Sequence, residues 1–277
     1  MKKRFLTVIM CVAMTVVMAA GCGSKKEDAA SGSTDQKEAV TEENVKGSME
    51  GVTLKVGTSG LFGPFSYYDE DGKTLIGYDL DLIAELQEIL GFEIDGGIQA
   101  MDYSALTTSL AEGKLDMGAA ALCATDERKE VMNFSEIYCD SGQVVMVNKE
   151  DEKGIKGVDD LAGKKVAVEK GTASHTYASK NLGDATLEIH DTITTAYESL
   201  EQGKVDAVLQ DGPGAAFYIK TTPGSKLAVV GDEFNQGQAP YCVAISKDCK
   251  YYDNINVAVK MLIDDGTTDE LYAKWCE

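Results

Sequence analysis

The nine residues SLAEGKLDM, 109–117, return in the second half of the chain as SLEQGKVDA, 199–207. Such a join is common in any α/β protein, so the repeat alone fits either a chance recurrence or two similar halves; matching loops upstream of each copy favour two halves. In the first copy Leu106 and Leu110 stand four apart on one helix face, and Gly113 sits where a left-handed C-terminal cap is wanted. Residues 115–121 then read as a buried strand. In the second copy Ala196 and Leu200 form the face, Gly203 the cap, and residues 205–209 the strand. Upstream of each copy lies a short β-branched run that enters a loop with Gly and Thr, LKVGTSG at 54–60 and VAVEKGT at 166–172. Leu82, Leu86 and Ile89 stripe a first-half helix that Gly91 ends. The grammar is α/β: two Rossmann-like lobes, each with its loops at the carboxyl ends of its strands, where ligands of open α/β sheets bind.

The folded body is expected to start near Gly51. Lys2, Lys3 and Arg4 precede an apolar run from Phe5 to Met18, too short for a comfortable membrane span, followed by Ala19-Ala20-Gly21-Cys22. This resembles the lipobox of bacterial lipoproteins, which implies cleavage before Cys22 and a lipid on its sulfur. Residues 1–21 are then a signal peptide. Residues 23–50, rich in Ser, Gly, Ala, Glu, Asp and Lys and without an aromatic, read as a disordered tether. The net charge of −20 argues against nucleic acid and against a surface lying on anionic lipid. No apolar run after residue 50 is long enough to span a bilayer, so membrane contact is expected through Cys22 alone. Cys123, Cys139, Cys242, Cys249 and Cys276 form no C-x-x-C pair and the chain has two histidines, so neither a metal nor another cofactor is expected.

Two facing lobes place four loops around one cleft: 58–65, 121–128, 169–174 and 210–213. Arg128 is the only arginine beyond the signal peptide, in a chain that otherwise uses lysine. That economy points to the guanidinium fork, which grips a carboxylate with two parallel bonds. The alternative is a structural ion pair with Asp126 or Glu130. Thr125-Asp126-Glu127 before it reads as a helix N-cap and acidic first turn. Asp211, just past the second repeat's strand, suits an ammonium; the alternative is plain turn chemistry. Phe62 and Tyr103 are candidate walls, whereas Phe65 reads as core of its own lobe. The Gly171–Ser174 loop is a candidate anion nest without the phosphate-loop pattern. His175 and His190 read as surface residues.

These segments together resemble the extracellular solute-binding proteins of bacterial polar-amino-acid ABC importers. The resemblance runs from Leu54 to Cys276 and includes VGTSGLFGPFSY, IGYDLDLIAEL, TDERKEVMNFSEIY, LAGKKVAVEKGT, GKVDAVLQD and DDGTTDELYAKWC. It implies two lobes of the type II periplasmic-binding-protein kind, crossed by strands near 141–143 and 238–241. Residues 51–141 and 240–277 then build the first lobe and 142–239 the second. It implies that Arg128 holds a ligand α-carboxylate with the backbone N–H of Ala173 near Thr172, and Asp211 the α-ammonium. Phe62 and Tyr103 sandwich the side chain, and Ala121 offers its carbonyl. Three positions depart from the family pattern: Cys123 where Ser or Thr is usual, Ser59 where Asp is common, and Glu169 where Gln, Lys or an apolar residue is common. Glu169 and Gln210 border the side-chain end, so a polar or cationic amino acid (Lys, Arg or Gln ahead of Asp or Glu) is the expected ligand. The implied protein is a monomer that delivers an amino acid to a membrane permease. The other readings are a dehydratase-type enzyme on the same fold and a ligand-sensing receptor component.

Overall fold

The computed structural model describes residues 39–151 and 154–277. Cys22, the signal peptide and residues 23–38 of the expected tether lie outside the described residues.

Two five-stranded sheets carry the chain. In the first, the strands run in the order Gln99–Ala100, Val56–Thr58, Met117–Gly118, Ala244–Ser246, Met132–Phe134. In the second the order is Thr186–His190, Lys165–Glu169, Ala207–Asp211, Gln143–Asn148, Leu227–Phe234. Each sheet has three parallel strands followed by two antiparallel pairings. The fourth strand enters the two sheets at different points of the chain. The one in the first sheet arrives only after the second lobe is complete, and the one in the second sheet follows directly on the first lobe.

The repeat has a physical purpose in both copies. It closes helix α2 (Tyr103–Ala111) in the first lobe and helix α5 (Ile193–Glu201) in the second. Gly113 and Gly203 both adopt φ +68°, where only glycine is unstrained. Lys114 N and Lys204 N then return to the carbonyls of Ser109 and Ser199. Asp116 and Asp206 each accept from the backbone N–H that opens or precedes the lobe's first parallel strand, Lys55 at 2.8 Å and Lys165 at 2.7 Å. The shared Asp is therefore a strand clamp.

The remaining helices are α1 (Tyr78–Leu90), α3 (Asp126–Lys129), α4 (Ala173–Asn181), α6 (Gly212–Thr221), α7 (Tyr252–Asp264) and α8 (Thr267–Trp275). Leu82, Ile83, Leu86 and Leu90 of α1 are fully buried with Val259 and Leu262 of α7 in the first lobe's core. The second lobe's sheet buries Val144, Met146 and Val208 on one face and Val145, Val147 and Val168 on the other.

The fold begins earlier than the expected Gly51. Residues 42–50 wind through turns, and Val45 and Met49 are fully buried. Gly47 N and Met49 N donate to Ile89 O and Leu90 O, each at 2.8 Å, supplying partners to carbonyls that α1 leaves free at its C-terminus. Asn254 Nδ2 fixes Ser48 Oγ at 2.8 Å. Average composition hid this segment, because two apolar side chains and a helix end are enough to dock it. Burying each contributes about 1.5–3 kcal/mol.

Candidate functional site

The lobes meet over a cavity of about 30 Å³, lined among others by Ser59, Phe62, Tyr103, Ala121, Glu169, Thr172, Ala173, Gln210 and Asp211. Nine of the eleven residues singled out from sequence thus share one lining. Arg128 and Cys123 stand immediately behind it.

Arg128 follows from a short local device. Thr125 caps α3 by accepting from Arg128 N at 3.4 Å, which turns the side chain toward the cleft. The guanidinium donates from Nη1 to Cys123 O at 2.7 Å and Tyr103 Oη at 3.1 Å, and from Nη2 to Gly171 O at 2.6 Å. Its carbon lies 5.2 Å from the Tyr103 ring centroid. Neither Asp126 nor Glu130 pairs with it, so the structural ion pair is not formed. Gly171 belongs to the second lobe, and Arg128 therefore reaches across the cleft. Gly171 adopts φ +79°, which turns its carbonyl toward the guanidinium. His175, expected on the surface, accepts from Gly171 N at 3.1 Å through Nδ1 and fixes that turn. Sequence gave no sign of this, because the partner is a backbone amide.

Asp211 ends the strand Ala207–Asp211 and precedes α6, yet its carboxylate does not cap that helix. It accepts from Gln143 Nε2 at 3.0 Å, Tyr241 Oη at 2.9 Å and Ser174 Oγ at 3.4 Å, with Cys123 Sγ 3.8 Å away. Burial pushes its pKa up, while Gln143, Tyr241, Ser174 and Arg128 oppose that rise. Turn chemistry does not account for such a setting. Tyr241 was not singled out from sequence, and Ser174 only as the end of the Gly171–Ser174 loop. Tyr241 is fully buried, and no local pattern marks it.

Ala121 holds φ +48°, unusual for a residue with a Cβ. Asp79 of α1 is responsible. Fully buried, it accepts from Ala121 N at 2.8 Å and Tyr138 Oη at 2.6 Å, and burial raises it to about 6. The strand expected over 115–121 is laddered only at Met117–Gly118, because the chain turns away here. The Cys123 thiol is fully buried, and burial with Asp211 beside it pushes its pKa well up. All five described cysteines are free.

Glu169 ends the strand Lys165–Glu169. Burial raises it to about 8, with the charges of Asp211 and Asp102 adding to the rise and a backbone hydrogen bond from Ile193 opposing it. Among the described residues no lysine or arginine pairs with it. Thr172 caps α4 by accepting from His175 N at 3.1 Å, so Ala173 N is one of the first-turn donors without an intrahelical partner. Ser59 Oγ accepts from Leu61 N at 3.2 Å, and the Tyr197 hydroxyl donates to Gln210 Oε1.

Contacts close the mouth from both sides. The Phe62 ring lies over Gly214 of the second lobe, and Phe217 of the second lobe lies over Gly63 of the first. Lys180 of α4 pairs with Glu127 of α3. Among the described residues no group of three potential metal ligands occurs, and no helix is long and apolar enough to cross a membrane.

Residues 54–277 match the bacterial extracellular solute-binding proteins, family 3. The L-cystine-binding protein TcyJ of Escherichia coli (strain K12) is 32% identical over 224 residues, 80% of this chain and 82% of that protein. The L-cystine-binding protein TcyA of Bacillus subtilis (strain 168) is 29% identical over 275 residues, 99% of this chain and 97% of that protein. Among solved structures, an ancestral arginine-binding protein bound to arginine shares 35% identity at a TM-score of 0.75, covering 83% of this chain and 100% of that one.

Proposed function

The chain belongs to the bacterial extracellular solute-binding proteins, family 3, and we propose that its cleft captures a polar amino acid with a basic side chain. It is a binding protein rather than an enzyme, working outside the cytoplasm to hand its amino acid to an ABC transporter. In this reading Arg128 takes the α-carboxylate together with the N–H of Ala173 beside Thr172, and Asp211 takes the α-ammonium. Phe62 and Tyr103 hold the side chain between them, Ala121 supplies a carbonyl, and Ser59, Gln210 and Glu169 face the side chain's end. Cys123 backs the site as a neutral thiol.

The observation that carries the ligand class is Glu169: a half-buried carboxyl in the cleft, raised to about 8, with no cationic side chain of the described protein to pair with. A carboxylate kept from water is costly unless paired. A guanidinium or ammonium at the end of the ligand supplies the pair, as the distal ammonium of cystine also would. An acidic side chain meets like charge instead. The cavity of about 30 Å³ has room for a water or two and not for an amino acid, so the ligand enters when the lobes part and the lining shifts to enclose it as they close. Calorimetry against arginine, lysine, cystine, glutamine, aspartate and glutamate tests the reading. Arginine, lysine or cystine should lead. Tight aspartate or glutamate binding with no basic ligand, or glutamine binding well ahead of every basic ligand, would reject it.

The protein is a monomer in this reading, anchored by lipid on Cys22. Cys22→Ser should be released from the membrane fraction, and its full retention after washing would show another anchor.

A further inference from the structure

Beside the central cavity lies a second one of about 280 Å³. Leu61, Phe62, Ile193 and Gln210 line both, so they form a partition. Two of the four ride on the first lobe and two on the second. Parting the lobes therefore opens the passage between the cavities together with the cleft.

The far side of the partition differs in chemistry from the near side. Its walls include Tyr67, Tyr68, Tyr197, Phe217 and Tyr218, and no charged side chain lines it. The walls come from both lobes: Tyr67 of the first and Phe217 of the second have ring centroids 5.0 Å apart, while Tyr197 and Tyr218, both of the second, lie 4.1 Å apart. Tyr197 occupies the Gln210 carbonyl oxygen, which leaves the Gln210 amide nitrogen facing the passage beside Phe62 and Gly214. Carboxylates stand near two of the aromatic walls. Burial raises the Tyr67 and Tyr218 hydroxyls, with Asp69 adding to the first and Glu201 and Glu198 to the second. An aromatic lining without a charge of its own, with carboxylates nearby, attracts a cation that reaches a ring face, through the ring quadrupole. It suits a cation that sheds water easily. A bare ammonium holds its water strongly and is better served by a carboxylate such as Glu169.

We propose that this cavity is a distal subsite of the same ligand cleft, and that it takes the N-alkylated cationic end of a basic amino acid's side chain. Methyl groups extend the head by one bond toward the partition and weaken its hydration, and the weaker hydration fits the aromatic side. The lining offers no charged partner for a second α-carboxylate, so the far end of a disulfide-linked dimer gains no ion pair there. The inference rests on the reading that the central site binds a basic amino acid.

Tyr68 is the probe, because it lines only the second cavity and is 41% exposed, so its replacement spares the core. Calorimetry compares lysine with Nε-trimethyllysine and arginine with dimethylarginine, on the wild type and on Tyr68→Leu and Tyr68→Phe. In the wild type each methylated ligand should bind within threefold of its parent or tighter. Tyr68→Leu should weaken the methylated ligands about tenfold and the parents less than threefold, and Tyr68→Phe should restore the difference. If methylation costs the wild type tenfold or more while the parents bind, this inference falls and the central-site reading stands. Equal losses for parent and methylated ligands in Tyr68→Leu also overturn it. If no basic amino acid binds in either form, both readings fall together.

Discussion

Gly214→Ala should separate the stability of the lobes from the stability of the closed cleft. A Cβ at Gly214 would lie 2.4 Å from Phe62 Cε2 and 2.7 Å from its Cζ, distances that real Cβ atoms do not keep. The Phe62 ring has little room to retreat. It stacks on Phe65 at 5.8 Å, and Phe65 is fully buried against Tyr241 and Tyr78. The other close atom, Gln210 Nε2 at 2.4 Å, is the far end of a flexible side chain and can move. The lobes must therefore part by roughly 1 Å, or the closed state must absorb an overpacking cost of about 1–3 kcal/mol. If closure is the bound state, that cost weakens binding about 5- to 150-fold. The folded lobe should not suffer. Gly214 lies in α6 without a positive φ, and Ala is favoured over Gly in a helix by up to about 1 kcal/mol. Three measurements on one variant decide it: melting temperature without ligand, affinity by calorimetry, and ligand-driven compaction by small-angle scattering. The expected pattern is an equal or higher melting temperature, weaker binding and reduced compaction. Wild-type affinity within twofold together with full compaction would show that Phe62 does not seat on Gly214 in the bound state.

Binding of arginine or lysine should ionise Glu169 and release a proton below pH about 8, so affinity should climb with pH up to about 8, and Glu169→Gln should flatten the profile. Calorimetry in buffers of different ionisation heat reads the proton count. In the ligand-free protein the sign reverses: folded Glu169 keeps its proton to about 8 while the unfolded chain loses it near 4.5, so its contribution makes stability fall as pH rises through that window, as urea unfolding should show. Asp79→Ala strands the Tyr138 hydroxyl and Ala121 N–H, at about 1–3 kcal/mol for each buried group, and should lower the urea midpoint and weaken binding together. Arg128→Ala should cost roughly 3–5 kcal/mol of binding, two to three orders of magnitude or more, and Arg128→Lys should recover only part, since an ammonium cannot offer the ligand carboxylate two parallel bonds. Binding within a few-fold of wild type in a folded Arg128→Ala protein would remove Arg128 from its assigned role.

The two-lobe plan was legible because it is written in local terms that repeat. A glycine in the left-handed region, a returning lysine amide and an aspartate on the neighbouring strand occur at the same spacing in both halves. Arg128 stood out as the one arginine among lysines beyond the signal peptide, and its guanidinium does lie behind the cleft lining, while its hold on a ligand belongs to the proposed reading. What could not be read were contacts whose partners are distant in sequence or belong to the backbone. Asp79 and Ala121 are joined across 42 positions, and Tyr241 reaches Asp211 across 30. His175 holds a glycine amide, which leaves no trace in residue types. Residues 42–50 failed for a different reason. Composition averages a segment, whereas docking needs only two apolar side chains and two free carbonyls at a helix end.

The charges of the cleft tie these parts together. An amino-acid zwitterion offers one carboxylate and one ammonium, and in the proposed reading Arg128 and Asp211 neutralise one each. That pairing leaves Glu169 over, with Asp211 and Asp102 already pressing its proton on. An ionised Glu169 needs a third charge from the ligand, whereas a protonated one can serve as a hydrogen-bond donor to an uncharged amide. The same fold can therefore grade basic against amide ligands by the ionisation of a single carboxyl. The net charge of −20 tilts the grade the same way over distances longer than a contact, though only within a Debye length of about 8 Å at physiological salt. The acidic body and the cleft then favour the same ligands by different means: the body acts on encounter and is weakened by salt, while Glu169 acts after closure, where salt screens it far less.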